Sequence, residues 1–212
     1  MKHTLSKLTL PAVALTALLA LSACGAAADP AGSSTSDPST SASAGGTEST
    51  PPSAAMHNDA DAAFATGMVP HHEQAVEMAE LAATRSSSAE VKDLAMRISA
   101  AQGPEITQMK GWLTEWGQTM PDHSGMAGMD DAPSGGMMSG SDLAMLEKAT
   151  GKQFDEAFLT GMLAHHRGAV EMAKTQLMDG SDAAAKELAQ AVVTGQSKEI
   201  TEIQGLLAQL KG

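Results

Sequence analysis

Tyrosine is absent from the chain, and the aromatic complement is three Phe and two Trp. With β-branched residues also sparse, the side chains that build β-sandwiches and barrels are missing. A single cysteine, Cys24, excludes an internal disulfide framework and any thiolate-cluster metal site. Positive charge is scarce: 13 Lys and Arg against 25 Asp and Glu leave a formal charge of −12 over 212 residues. Such a balance offers no basic face to a nucleic-acid backbone, which excludes that partner class. No long hydrophobic run follows the first 24 residues, so no later segment is expected to cross a membrane. What is present in excess is thioether. Fifteen Met and seven His stand beside the one thiol, in an Ala-rich composition that favours helices.

The start of the chain reads as an address. Lys2 and Lys7 precede the apolar stretch 8–21, which has signal-peptide length and is short for a membrane span. Leu21-Ser22-Ala23-Cys24 resembles a bacterial lipoprotein cleavage box, which implies a signal peptide over 1–23 and a lipidated Cys24. The expected location is outside the cytoplasm, anchored to an envelope membrane through Cys24. Residues 25–55 are Gly, Ala, Ser, Thr or Pro at 28 of 31 positions, which leaves nothing to bury. A disordered tether is expected over 24–57.

The rest of the chain is made twice. Residues 64–80, FATGMVPHHEQAVEMAE, and 158–174, FLTGMLAHHRGAVEMAK, agree at 11 of 17 positions, at an offset of 94. The offset continues without a gap through Lys92/Lys186, Leu94/Leu188, Gln102/Gln196, Glu105/Glu199, Ile106/Ile200, Gly111/Gly205 and Leu113/Leu207. One unit cannot bury its apolar face alone, so the two must pack on each other. Each unit reads as a helical hairpin. Helices are predicted over 59–84 and 88–118, with Ser86-Ser87-Ser88 as turn and cap, and over 152–178 and 181–210, with Gly180 as a stop. A short extra helix is expected at 142–149, ended by Gly151. The expected fold is all-α: a four-helix bundle over 58–212, made of hairpins 58–118 and 141–212 and a Met-rich linker, 119–140. That linker can cross the bundle either way, so the topology stays open.

At 100° per residue Met68, His71, His72 and Met78 share one arc of about 120°, as a core-facing stripe does. The second unit repeats the face with Met162, His165, His166 and Met172. Packed together, the two faces bring four imidazoles and four thioethers into one core. In the second helix of each unit Gln102 and Glu105, and Gln196 and Glu199, fall inside the apolar stripe. A buried Glu is costly unless paired, and a metal-bound imidazole needs an acceptor for its second N–H. Glu105 and Glu199 are therefore expected to accept from the His pairs, with the Gln side chains completing the network. A Met stripe or one inward His is ordinary core packing. An adjacent His-His pair, present in both halves with flanking Met, is a metal-site pattern. Imidazole with thioether and no thiolate suits Cu(I), and Cu(II) through His. An inward Glu-x-x-His, the di-iron signature, is missing, and zinc would rest on His alone, so iron and zinc rank below copper.

The linker carries Met120, His123, Met126, Met129, Met137 and Met138 among Gly, Ser and Pro. Exposed Met is otherwise open to oxidation, so a flexible strand that wraps a soft ion is expected there. Met56-His57 offers the same chemistry at the domain's start. Pro70, replaced by Ala164 in the second unit, is expected to free the Thr66 carbonyl and kink the first helix, so that the half-sites differ.

Gly67-Met68-Val69-Pro70-His71-His72 with Ala75-Val76-Glu77-Met78-Ala79, and Phe158 to Met172 with His165-His166, resemble a bacterial family. It is the ferritin-like family of domains of unknown function that includes CopM-type copper-binding proteins. The resemblance covers about residues 57–210, including Gln102, Glu105-Ile106 and Trp112-Leu113. It implies an exported helical bundle that binds copper and contributes to copper tolerance. The reading is a lipoprotein that binds Cu(I), and also Cu(II), to buffer copper or pass it to a copper-handling protein. Two alternatives stay open. One is a redox enzyme, a ferroxidase or cuprous oxidase, that uses the His/Glu core. The other is a structural or adhesion lipoprotein with no metal. No nucleophile–base pair or cofactor motif argues for an enzyme.

Overall fold

A computed structural model describes residues 57–119 and 134–211. The expectations for the leader, Cys24, the tether, Met56, Met120, His123, Met126 and Met129 lie outside the described residues. Five α-helices follow in order: α1 (Asp59–Arg85), α2 (Ala89–Glu115), α3 (Gly140–Lys148), α4 (Gly151–Asp179) and α5 (Ala183–Lys211). A 3-10 turn, Ser134–Gly136, precedes α3. None of these helices is long and apolar enough to cross a membrane.

The helix starts follow from side-chain caps. Asn58 accepts from the backbone of Ala60 and Asp61, and Asp61 returns a bond to the Asn58 N–H, a reciprocal capping box. Ser88 caps α2, Ser139 caps α3 and Asp182 accepts from Ala185 at the start of α5. Two ends differ from the predicted ones. α2 stops at Glu115 rather than 118, because Gly117 takes φ +67° and lets Gln118 N–H reach back to the Leu113 carbonyl. Gly151 does not end the short helix; with φ +61° it opens α4. α1 continues through Pro70, as α2 does through Pro104.

α1 pairs with α2 and α4 with α5, and the two hairpins meet through α1 and α4. These central helices are antiparallel. Asn58, before α1, donates to the Asp179 carbonyl at the end of α4, while Ser86, after α1, donates to Asp155 near the start of α4. α2 and α5 are the outer helices and touch narrowly, where Arg97 donates to Glu202 at 2.6 Å. The chain leaves α2 beside the start of α1, with Trp116 stacked on His57, and begins α4 at the opposite end. The topology left open by linker length is therefore a bundle with one long crossover.

The core is split. One apolar cluster gathers Met78, Ala82, Leu94, Ile98, Phe154, Phe158 and Met162 toward the α1–α2 turn. The other gathers Phe64, Met68, Met109, Leu113, Ala173, Leu188 and Val192 toward the α4–α5 turn. In chain position, a layer of four histidines falls between them.

Candidate metal centre

His71, His72, His165 and His166 are all buried, at 0–1 % exposure. α1 and α4 pack on each other, and each contributes a His-His pair. His71 and His165, equivalent residues of the two units, lie with ring centroids 3.7 Å apart and planes tilted by 47°. The outer helices supply carboxylates. His72 Nε2–H donates to Glu105 Oε2 at 2.7 Å, and His166 Nε2–H donates to Glu199 Oε2 at 2.7 Å. Both carboxylates keep about a fifth of their side-chain surface in solvent, so neither charge is stranded in the core. His71 Nε2–H donates to the Gly135 carbonyl at 2.8 Å.

These three bonds place a proton on Nε2 of each ring. In the neutral form of such a ring the lone pair sits on Nδ1. The Nδ1 atoms of His71, His72 and His166 are buried and have no hydrogen-bond partner among the described residues; His165 has none at either nitrogen. Burial pushes the His71 imidazole down to about 4, and His72 and His166 add repulsion that the Gly135 bond only partly offsets. His165 is pushed further, to about 2, by burial first and then by the His71 and His166 rings, against a weaker opposing pull from the His71 backbone. Both rings therefore stay neutral at physiological pH, with lone pairs available.

Thioethers flank the layer. Met68, Met78 and Met162 are fully buried, and Met172 is half-buried. The duplicated glycine of the motif makes room for them. A Cβ at Gly67 would sit 3.0 Å from Met172 Cε, and one at Gly161 would sit 3.2 Å from Met78 Cε. Each repeat thus seats its last Met on the other repeat's glycine. No three His, Cys, Asp or Glu side chains among the described residues converge as a ready metal cage. The donors present are imidazole nitrogen and thioether sulfur, with His71, His72 and His166 each held from behind by a carbonyl or carboxylate.

Residues 61–207 match the family described as a domain of unknown function, DUF305. The chain belongs to the DUF305 family. A crystal structure of a DUF305 protein from Streptomyces coelicolor, assigned as secreted, is similar at 35 % identity and TM-score 0.64, over 72 % of this chain and 94 % of that one. CopM in its Cu(II)-bound form is similar at 31 % identity and TM-score 0.61, over 70 % and 96 %. CopM in its Cu(I)-bound form is similar at 29 % identity and TM-score 0.59, over 72 % and 98 %. No curated protein matches.

In this DUF305 domain the structure buries seven of the eight His and Met of the two inner faces and half-buries Met172, with Glu105 and Glu199 on the neighbouring His rings. It does not bring Gln102 and Gln196 into that network. Both are buried; among the described residues Gln102 has no partner at either polar atom and Gln196 none at its oxygen. Met137 and Met138 also depart from the flexible-strand reading. Gln74 bonds both polar groups of the Met138 backbone, at 2.9 and 2.8 Å, and holds the segment on α1. The half-sites do differ, and the visible cause is Gly135: it bonds His71, while the equivalent His165 has no such partner among the described residues.

Two functional positions of the fold were missed in the sequence. Asp61 and Asp155, equivalent at the offset of 94, are buried at 0–1 % exposure. Asp61 accepts from Gln176, Ser181 N–H and Asp182 N–H; Asp155 accepts from the Ser86 and Ser87 hydroxyls. Each thereby clamps the turn of the opposite hairpin and holds the two His faces in register. Burial alone would raise the Asp61 carboxyl, but the bonds from Asn58, Gln176, Ser181 and Asp182 outweigh it and hold it below the usual range. The signal was available: an Asp three residues before each repeated Phe.

Proposed function

We propose that this DUF305 protein is an exported copper-binding lipoprotein that takes Cu(I) at the His/Met layer, and Cu(II) through imidazole alone, to buffer copper or pass it on. The observation that supports it most is the set of buried, unpartnered imidazole nitrogens. A buried polar atom left unpaired costs about 1–3 kcal/mol, and here Nδ1 of four rings and Nε2 of His165 share one layer. Five such atoms gathered in one layer beside soft thioethers are donors that a bound ion would satisfy. Soft thioethers beside the rings favour Cu(I), which accepts few ligands and so does not require the carboxylate-rich cage that is absent. The similarity to CopM with Cu(I) or Cu(II) bound supports the same metal, and the secreted relative supports export. Cys24 would carry the anchor.

Anaerobic Cu(I) titration against a competing chelator, followed by Fe(II) and Cu(I) oxidation assays on the same sample, tests this. Stoichiometric retention without turnover is expected. A chain that releases all copper to a weak chelator contradicts the proposal, and sustained turnover would assign the layer to a redox enzyme instead. Cell fractionation of Cys24→Ser tests the anchor: the variant is expected to leave the membrane fraction.

A further inference from the structure

Beside the His layer, an open cleft of about 650 Å³ lies between α3, α4 and residues 136–138. Three methionines line it: Met137, Met138 and Met145. Asp142 and Glu156 add carboxylates. Met145 is 62 % exposed while its neighbour Leu146 is buried, so Leu146 secures α3 and Met145 does not. Met138 is positioned by two independent devices. Gln74 holds its backbone, and Gly161 leaves space for its sulfur: a Cβ there would lie 2.8 Å from Met138 Sδ and 3.2 Å from Met78 Cε. The equivalent Gly67 admits one thioether, that of Met172. The second thioether at Gly161 is thus an addition to the repeat, brought by the chain returning from the crossover.

We propose that this cleft is a second soft-cation site, distinct from the imidazole layer, in which the Met137, Met138 and Met145 thioethers bind Cu(I) or Ag(I). Thioether is a soft, neutral donor that selects such ions over hard ones. The acidic side chains raise the local cation concentration without competing as soft ligands. The site also adjoins the core. Gly136, with φ +83°, lies on the Ala164 carbonyl, and the next residue is His165, which has no partner at either nitrogen among the described residues. An ion held in the cleft can pass inward by exchanging thioether for imidazole, with no change of oxidation state. Only this last step rests on the function proposed above; binding in the cleft does not.

The test is a titration of the full chain, labelled with ¹³C at the Met methyl groups, with silver nitrate as a redox-inert probe. The Met137, Met138 and Met145 methyl resonances are expected to shift together and saturate. The exposed Met145→Leu, which leaves the core untouched, is expected to weaken the cleft's Ag(I) affinity by about tenfold or more, no less than an outer partner costs a metal site. Met137→Leu/Met138→Leu/Met145→Leu is expected to lose one bound Ag(I) per chain while the His ring resonances still respond. A Met145 methyl that stays still, or unchanged stoichiometry in the triple variant, overturns the proposal. Response in the cleft with silent imidazoles upholds it and instead overturns soft-ion binding at the His layer.

Discussion

Replacing His165 by Leu should make the apo fold more stable and the metal site worse. His165 is fully buried and its two ring nitrogens have no hydrogen-bond partner among the described residues. Each unpaired buried polar atom costs about 1–3 kcal/mol, and Leu removes both at nearly constant volume. The loss is the ring contact with His71, worth about 0.5–1.5 kcal/mol. The balance is a gain of about 2 kcal/mol, or a rise in Tm of about 4–8 °C for a domain of this size. The effect has a pH signature. His71 and His165 titrate below the usual 6.5 in the folded chain, so the unfolded chain binds protons that the folded one refuses. The wild type should hold its full stability above pH 6.5 and lose it as the pH falls toward 4. His165→Leu should flatten that slope, since one of the two refusing groups is gone. The assay is urea unfolding of chelator-stripped protein between pH 7.5 and 4.5, paired with Cu(I) competition. If apo His165→Leu is less stable than wild type by more than about 1 kcal/mol at pH 7, the ring is a packed core residue, and the reasoning from unpaired nitrogens is refuted.

Glu105→Gln keeps an acceptor near His72 Nε2 but removes the charge, so Cu(I) affinity should fall about 10–100-fold with little change in apo Tm; a chelator competition that gives wild-type affinity would remove Glu105 from the site. Asp61→Ala strands Gln176 and the Ser181 and Asp182 N–H groups, and should cost about 3 kcal/mol or more in urea unfolding. Gly168→Ala drives a methyl into the Gly135 carbonyl and should free His71. Its Nε2–H should then exchange with water faster while that of His72 does not, a pair of rates readable by NMR.

Much of this was legible because the chain was made twice. The offset of 94 marked the His faces, and the wheel angles turned Glu105 and Glu199 toward them, where the structure finds 2.7 Å bonds to His72 and His166. Periodicity says which face a residue occupies, not whom it meets. Gln102 and Gln196 share the stripe of the two Glu but make no bond to the rings, because one turn along the helix is enough to miss them. Asp61 and Asp155 were passed over because each acts across the two-fold relation, on the turn of the other hairpin, more than 60 residues away. Gly67 and Gly161 carried no sequence signal beyond repetition; their lack of a Cβ matters only once Met172 and Met78 are seen against them. Met137 and Met138 read as linker because composition cannot reveal that Gln74 binds the Met138 backbone.

The central claim is that copper binds at imidazole Nδ1 while Nε2 keeps its proton. Long-range ¹H–¹⁵N spectra of the His rings, recorded before and after anaerobic addition of Cu(I), test it directly. Large Nδ1 shifts on His71, His72 and His166, with Nε2–H retained on each, are the expected result. Unmoved Nδ1 resonances in a sample shown to contain bound copper, or loss of the Nε2 protons, would contradict it.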